Sequence, residues 1–186
     1  MPTIYILSGP NGAGKTTAAY NLLPDVFKTL EFVNADEIAR GLSPFNVESV
    51  AFQAGRIMLE RFEQFIKEKK SFAFETTLSG IAYLKSIRLA KLKGFKIILF
   101  FVWLDSFELA KNRVAIRVRK GGHSIPNEVI ERLYWKGIKN FLKYAEEAHS
   151  WYVYDNSGPE YVLIAKCIQG EKEIFNFEIF NKIMQI

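Results

Sequence analysis

A chain of 186 residues, 49% of them hydrophobic, can bury one substantial core, and nothing in it calls for a second domain. The longest apolar stretch, 97–104, is far too short to span a bilayer; a single cysteine, Cys167, excludes an internal disulfide, and two histidines with one cysteine leave no cluster at zinc-ligand spacing. A net charge of +5 suits an anionic substrate but is mild beside the basic faces of proteins that hold nucleic acid through its phosphates.

Taken in chain order, residues 3–7 form a short β-branched apolar run that reads as a buried strand. Gly9-Pro10-Asn11-Gly12-Ala13-Gly14-Lys15-Thr16 follows and fits GxxxxGK[ST] at every fixed position, with Thr17 completing the block. The pattern marks a phosphate cradle. Its glycines let successive backbone N–H groups turn inward around an anion, Lys15 adds a point charge, and Thr16 offers a hydroxyl to a Mg²⁺ bridging the outer phosphates of ATP. The helix expected over 15–23 aims its positive end at the same anion. With the P-loop so near the start there is no signal-peptide layout, and the expectation is a cytoplasmic protein.

Further strands are expected at 32–34, 71–74, 95–104, 151–154 and 161–168, separated by stretches of helical periodicity. That alternation implies an α/β fold: a doubly wound, mostly parallel sheet with helices on both faces, in one P-loop kinase-like domain over 1–186. Residues 47–70 place Val50, Ala54, Ile57, Met58, Phe62, Phe65 and Ile66 on one face of a long helix that would wall the substrate cleft; Arg56, on the same helix, is assigned to acceptor binding. Asp105 with Glu108 resembles a capping box for a helix to about Arg119, ended by Gly121-Gly122, and Pro126 opens another to about Glu147. After Gly170 a terminal helix packed on the sheet is expected, and Cys167, in an apolar run, reads as a small core residue.

In a parallel sheet, ligands collect beyond the carboxyl ends of the strands. Four polar segments lie there. In Asn34-Ala35-Asp36, Asp36 would accept a proton from an attacking hydroxyl, although it would equally serve as a helix cap. In Glu75-Thr76-Thr77, Glu75 is placed to orient Mg²⁺ or its water, and Thr77 points with it into the cleft; ordinary capping and turn residues are the competing reading. Arg113 and Arg117, four apart, share a helix face in a lid over 113–126 and would reach a transferring phosphoryl, if they are not simply a solvated basic face. Finally, 154–158 either flanks the adenine or is a turn.

The blocks GPNGAGKTT, FVNADEIARGLSP, SFAFETTLSG and NRVAIRVRKGGHSIP, in that order, resemble the zeta-toxin family of P-loop kinases, in its short bacterial branch; the likeness runs from the P-loop to about Ser157. The resemblance implies transfer of the ATP γ-phosphate to the 3′-hydroxyl of UDP-N-acetylglucosamine or a related UDP-amino sugar. It gives Asp36 the place of the base, Lys15 and Thr16 those of ATP and Mg²⁺ ligands, and Asn34, Glu75 and Thr77 a hold on the sugar nucleotide. It also implies an antitoxin partner that would lay a helix over the ATP cleft of an otherwise monomeric kinase. Two departures stand out. Arg117 aligns with one of the family's two phosphate-stabilising arginines, but His123 occupies the second position, so support from it should weaken above its pKa, and Arg113 or Arg132 would compensate. The chain is also shorter than the best-known toxins and lacks much of their substrate-binding insertion.

Two other functions use the same loop. A polynucleotide 5′-hydroxyl kinase would share P-loop, base and lid, but the basic residues gather in the lid instead of a groove with interleaved aromatics, which argues against nucleic acid. A transporter ATPase subunit is suggested by Leu78-Ser79-Gly80, yet in such proteins that signature comes much later, before an apolar strand ending in Asp-Glu that this chain lacks.

Overall fold

A computed structural model describes residues 1–22 and 27–185. The chain runs β1 (Thr3–Ser8), α1 (Lys15–Leu22), β2 (Phe32–Val33), α2 (Ala35–Leu42), a 3₁₀ turn (Val47–Val50), α3 (Ala51–Glu68), β3 (Phe72–Thr76), α4 (Ala82–Leu92), β4 (Lys96–Trp103), α5 (Phe107–Arg119), α6 (Asn127–Glu147), β5 (Ser150–Asp155), β6 (Val162–Ile168), β7 (Glu171–Ile174) and α7 (Phe177–Met184). The expected end of α1 at Leu23 lies outside the described residues.

The strands form one sheet in the order β2-β3-β1-β4-β5-β6-β7. The first five are parallel, and β6 and β7 pair antiparallel. This is the mostly parallel α/β architecture that the alternation of elements predicts. Because β1 lies between β3 and β4, the chain leaves it in one direction and returns on the other, which opens a crevice beyond its carboxyl end. Central placement also explains composition: Ile4, Ile6, Phe72, Phe74, Ile97, Leu99 and Phe101 are fully buried.

The wall of the crevice follows from helical periodicity. α3 buries Ala54, Met58, Phe62, Phe65 and Ile66, and Phe62 meets Phe72 and Phe74 edge-on at 5.0 and 5.1 Å. α6 buries Ile130, Tyr134, Gly137, Ile138, Phe141 and Tyr144 on the same side of the sheet. Among the described residues no helix is long and apolar enough to cross a membrane.

Local capping departs from expectation in three places. The helix expected over 47–70 begins with a 3₁₀ turn. The cap of α5 is Ser106, whose hydroxyl accepts the Leu109 N–H at 3.3 Å, so Asp105 and Glu108 form no capping box; the hydroxyl one residue on is placed to reach that N–H. The stretch after Gly170 opens with β7, not helix. Gln169 (φ 54) and Gly170 (φ 91) both take left-handed backbone, which makes the two-residue hairpin turn that matches strand twist and folds β7 onto β6. The terminal helix then does pack on the sheet, with Phe180 stacked on Trp151. Cys167 is half-buried at the margin of the core.

Candidate active site

The phosphate cradle sits between β1 and α1, and neighbouring backbone crowds it. Gly9 (φ 139) lies so close to the Val102 carbonyl that no Cβ fits, and a Cβ on Gly12 (φ 78) would meet the Ala110 carbonyl oxygen at 2.9 Å. Glycine is therefore required twice over at these positions, by conformation and by space. Behind the loop, the Asn156 Nδ2 donates to the Ala13 carbonyl and the Tyr161 hydroxyl to the Gly14 carbonyl, both at 2.9 Å. Segment 154–158 thus braces the P-loop through Asn156. Sequence reasoning missed this strut and Tyr161, because neither belongs to a local motif.

Within the cradle Lys15 is buried; its Nζ donates to the Pro10 carbonyl at 2.9 Å and lies 3.5 Å from Glu75 Oε1. Ala13 N–H closes on the Pro10 carbonyl. The Asn11 amide nitrogen is buried and has no hydrogen-bond partner among the described residues, which leaves a donor for a ligand oxygen. Thr16 and the exposed Thr17 stand on the first turn of α1.

Glu75, at the end of β3, gathers the neighbouring groups. Its Oε2 accepts from the Thr16 hydroxyl at 2.7 Å and from Asn34 Nδ2 at 2.9 Å. The Asn34 Oδ1 in turn accepts the Asp36 N–H at 2.8 Å and that of Glu37 at 3.4 Å, so Asn34 is the cap of α2. This resolves one ambiguity of the sequence: Asp36 has no capping duty, and its carboxylate stands half-exposed at the cavity wall.

That cavity, about 670 Å³, is lined by the polar residues Asn11, Lys15, Asn34, Asp36 and Glu75 and by the apolar or aromatic Met58, Tyr83, Ile125, Val129 and Leu133. Its size and mixture of apolar wall with few convergent polar groups suit a small-molecule site. Thr77 lines it too and donates its hydroxyl to Ser79 at 2.9 Å. α6 pins this loop: Asn140 Nδ2 donates to the Leu78 carbonyl at 2.8 Å, and the Tyr144 hydroxyl to that of Gly80 at 2.7 Å. Leu78 itself is held at φ 56, a conformation unusual outside glycine.

The cationic side is divided. Arg113 and Arg117 line a second cavity of about 430 Å³ together with Arg40, Ile116, Lys120, Gly121 and Gly122. Arg113 Nη2 reaches the carbonyls of Ser157 and Gly158 at 3.3 and 3.4 Å, while Arg117 Nη2 donates to the His123 carbonyl at 3.3 Å and leaves its buried Nε unpaired. His123 Nε2 lies 3.7 Å from Asp36 Oδ2. Burial pushes the His123 pKa down; Asp36 opposes this, and Arg117 and Arg40 reinforce it. The ring is therefore largely neutral at neutral pH.

Two expectations are corrected. Arg56 is not brought to the site: it is 69% exposed and faces Glu60 one turn on, because two residues of helix turn it well away from both Ala54 and Met58 on the buried face. Arg132 is exposed on α6 and lines neither cavity, so it cannot replace a phosphate-binding arginine from this position. Arg40 was missed, since an arginine ending a short helix carries no motif.

Comparison with known proteins agrees with this geometry. The profile of the Zeta toxin family matches residues 1–164. An uncharacterized protein of Haemophilus influenzae is 31% identical over 127 residues, covering 68% of this chain and 88% of the relative. AvrRxo1-ORF1, solved with AvrRxo1-ORF2, superposes with a TM-score of 0.80 at 21% identity; the alignment covers 98% of this chain but only 63% of that one. The PezAT chromosomal toxin-antitoxin system of Streptococcus pneumoniae aligns over 100% of this chain and 85% of its own, with a TM-score of 0.68 at 16% identity. With a phosphate cradle, a carboxylate and a small-molecule cavity converging at one strand end, the chain belongs to the Zeta toxin family and is a P-loop phosphotransferase.

Proposed function

We propose that this chain, acting as a single kinase-like unit over 1–186, transfers the γ-phosphoryl of ATP to a hydroxyl of a small sugar nucleotide of the UDP-N-acetylglucosamine class. One observation carries the reading: the Asp36 carboxylate, free of capping, faces the same cavity as the P-loop lysine. The acceptor oxygen attacks the γ-phosphorus, the bond from that phosphorus to the ADP oxygen breaks, and the hydroxyl proton passes to Asp36. Lys15 moves from Glu75 and the Pro10 carbonyl onto the phosphates, joined by the Asn11 amide. The Thr16 hydroxyl and Glu75, 2.7 Å apart, would hold the Mg²⁺ that accompanies ATP, which would supply charge neutralisation on the phosphates.

On the acceptor side, Asn34, Glu75 and Thr77 offer polar contacts, and Tyr83 with Met58 an apolar floor. Residues 113–126 act as the lid, hinged at Gly121 (φ 88) and Gly122. A monomeric, cytoplasmic enzyme silenced by an antitoxin over the ATP cleft fits the family.

The test is ADP release with ATP and Mg²⁺, with and without UDP-N-acetylglucosamine, followed by mass spectrometry of the sugar nucleotide. Asp36→Asn should retain ATP binding and lose about 10²–10⁴ in turnover, while Lys15→Ala should lose both. A phosphate appearing on an RNA 5′ end instead, or near-normal turnover by Asp36→Asn, would refute the acceptor or the base respectively.

A further inference from the structure

The second cavity contains a cation for which the reaction as described has no use. Arg40 lies in the last turn of α2 and Asp36 in its first, and the two residues are four apart, so they project from the same face one turn from each other. Arg40 lines the 430 Å³ cavity together with Arg113, Arg117 and Lys120, and among the described residues no acidic side chain lines it. Four cations around one space repel each other unless an anion enters. α5, which carries Arg113 and Arg117 and is followed at its C-cap by Lys120, runs past the P-loop: a Cβ on Gly12 would stand 3.1 Å from that of Arg113. The cavity therefore opens beside the cradle, between the lid and the base-bearing helix.

The other cations in reach are committed or weak. Arg113 is tied to the carbonyls of Ser157 and Gly158, and the His123 ring, which faces Asp36, is largely neutral at neutral pH. Among the described residues Arg40 pairs with Glu37 alone, at 3.5 Å, in a solvent-exposed pair of the kind that contributes little and yields readily. Its guanidinium is always charged and presents a planar fork suited to two phosphoryl oxygens.

We propose that Arg40 is a catalytic residue that, with Arg117, grips the γ-phosphoryl as it passes from ADP to the acceptor. It supplies from α2 a second positive charge beside that of Arg117. When the lid closes, Arg117 and Arg40 approach the same phosphoryl from opposite walls, and Asp36, one turn back on α2, takes the acceptor proton as the bond to ADP breaks. The inference rests on the phosphotransfer reading but not on the identity of the acceptor.

Because of that, the test uses the purified full chain and an acceptor-free probe, ADP with Mg²⁺ and aluminium fluoride, which mimics the phosphoryl in transit. Binding of ADP alone and of ADP with aluminium fluoride is measured by calorimetry for wild type, Arg40→Ala and Arg40→Lys; circular dichroism melts check folding. In the wild type, fluoride should tighten ADP binding. Arg40→Ala should keep the ADP affinity within about threefold and lose about 10²–10³-fold of that gain, as deletion of a transition-state donor does; Arg40→Lys should recover part. ATP turnover should fall in kcat with KM within about threefold. If the wild type gains from fluoride and Arg40→Ala gains equally, Arg40 has no such role while the kinase reading stands. If the wild type binds ADP and gains nothing, the phosphotransfer reading itself falls, and the role of Arg40 with it.

Discussion

Gly137→Ala should damage acceptor binding from a position in α6 that does not itself line the cavity. Gly137 lies in α6, and the nearest atom to a Cβ placed there is the Thr77 carbonyl oxygen, well inside the 3.0 Å that real Cβ atoms respect. Two forces oppose each other. Alanine gains about 1 kcal/mol over glycine in a helix interior, whereas overpacking at a close-packed contact costs about 1–3 kcal/mol. Restoring ordinary contact requires the 77–80 loop to move about 1 Å from α6, which strains the bonds that Asn140 and Tyr144 make to Leu78 and Gly80. The net loss is about 1 kcal/mol, or roughly 0.5 M in the urea midpoint at a slope of about 2 kcal/mol/M. Because Thr77 and Ser79 line the acceptor cavity, kcat/KM for the acceptor should fall about 10²-fold, while ATP affinity stays. Urea unfolding and steady-state ADP release measure the two effects. Wild-type acceptor kinetics in Gly137→Ala would refute the claim that α6 positions this loop.

Asn156→Ala should do the reverse. It removes the strut on the Ala13 carbonyl, costing about 1–3 kcal/mol of stability and weakening ATP binding more than acceptor binding; an unchanged ATP Kd in titration would show that the P-loop holds its own shape. Stability should also fall on mild acidification. Burial depresses the pKa of His123, and the His149 pKa is lowered by burial and by Lys91 and Lys96. The unfolded chain, whose histidines titrate near about 6.5, then binds protons first, so unfolding free energy declines as pH drops below that value and levels off above it. His149 contributes through its Nδ1, which accepts the Ile97 N–H at 3.0 Å and loses that bond on protonation. Thermal melts from pH 8 to 5 should show the decline, at roughly 2–4 °C per kcal/mol, and a shallower one in His149→Asn; a midpoint that holds or rises between pH 6.5 and 5.5 would contradict this.

Much of the fold was legible because its signals are local. The P-loop, the buried strand before it and the alternation of helices with apolar strands each depend on residues within a few positions of one another, and all of them appear in the structure. The errors also have local causes. Ser106, not Asp105, caps α5, since the helix starts one residue later and the Ser106 hydroxyl accepts the Leu109 N–H. β7 was read as helix because EKEI has no apolar alternation; only the two left-handed residues before it turn it back onto β6.

By itself the sequence determined the phosphate cradle, the α/β class and the place of Asp36 and Glu75 at strand ends, because motif spacing and hydrophobic period are properties of neighbouring residues. Whether Asp36 caps a helix or faces a cavity depended on Asn34 reaching its N–H, and which arginines share a space depended on where α2 and α5 end. Arg56 was assigned to the acceptor and Arg40 passed over, yet helix rotation sent the first to solvent and placed the second in the cavity that Arg117 lines. Such choices belong to tertiary structure, since they are set by distances between segments that lie tens of residues apart and meet only when the core closes.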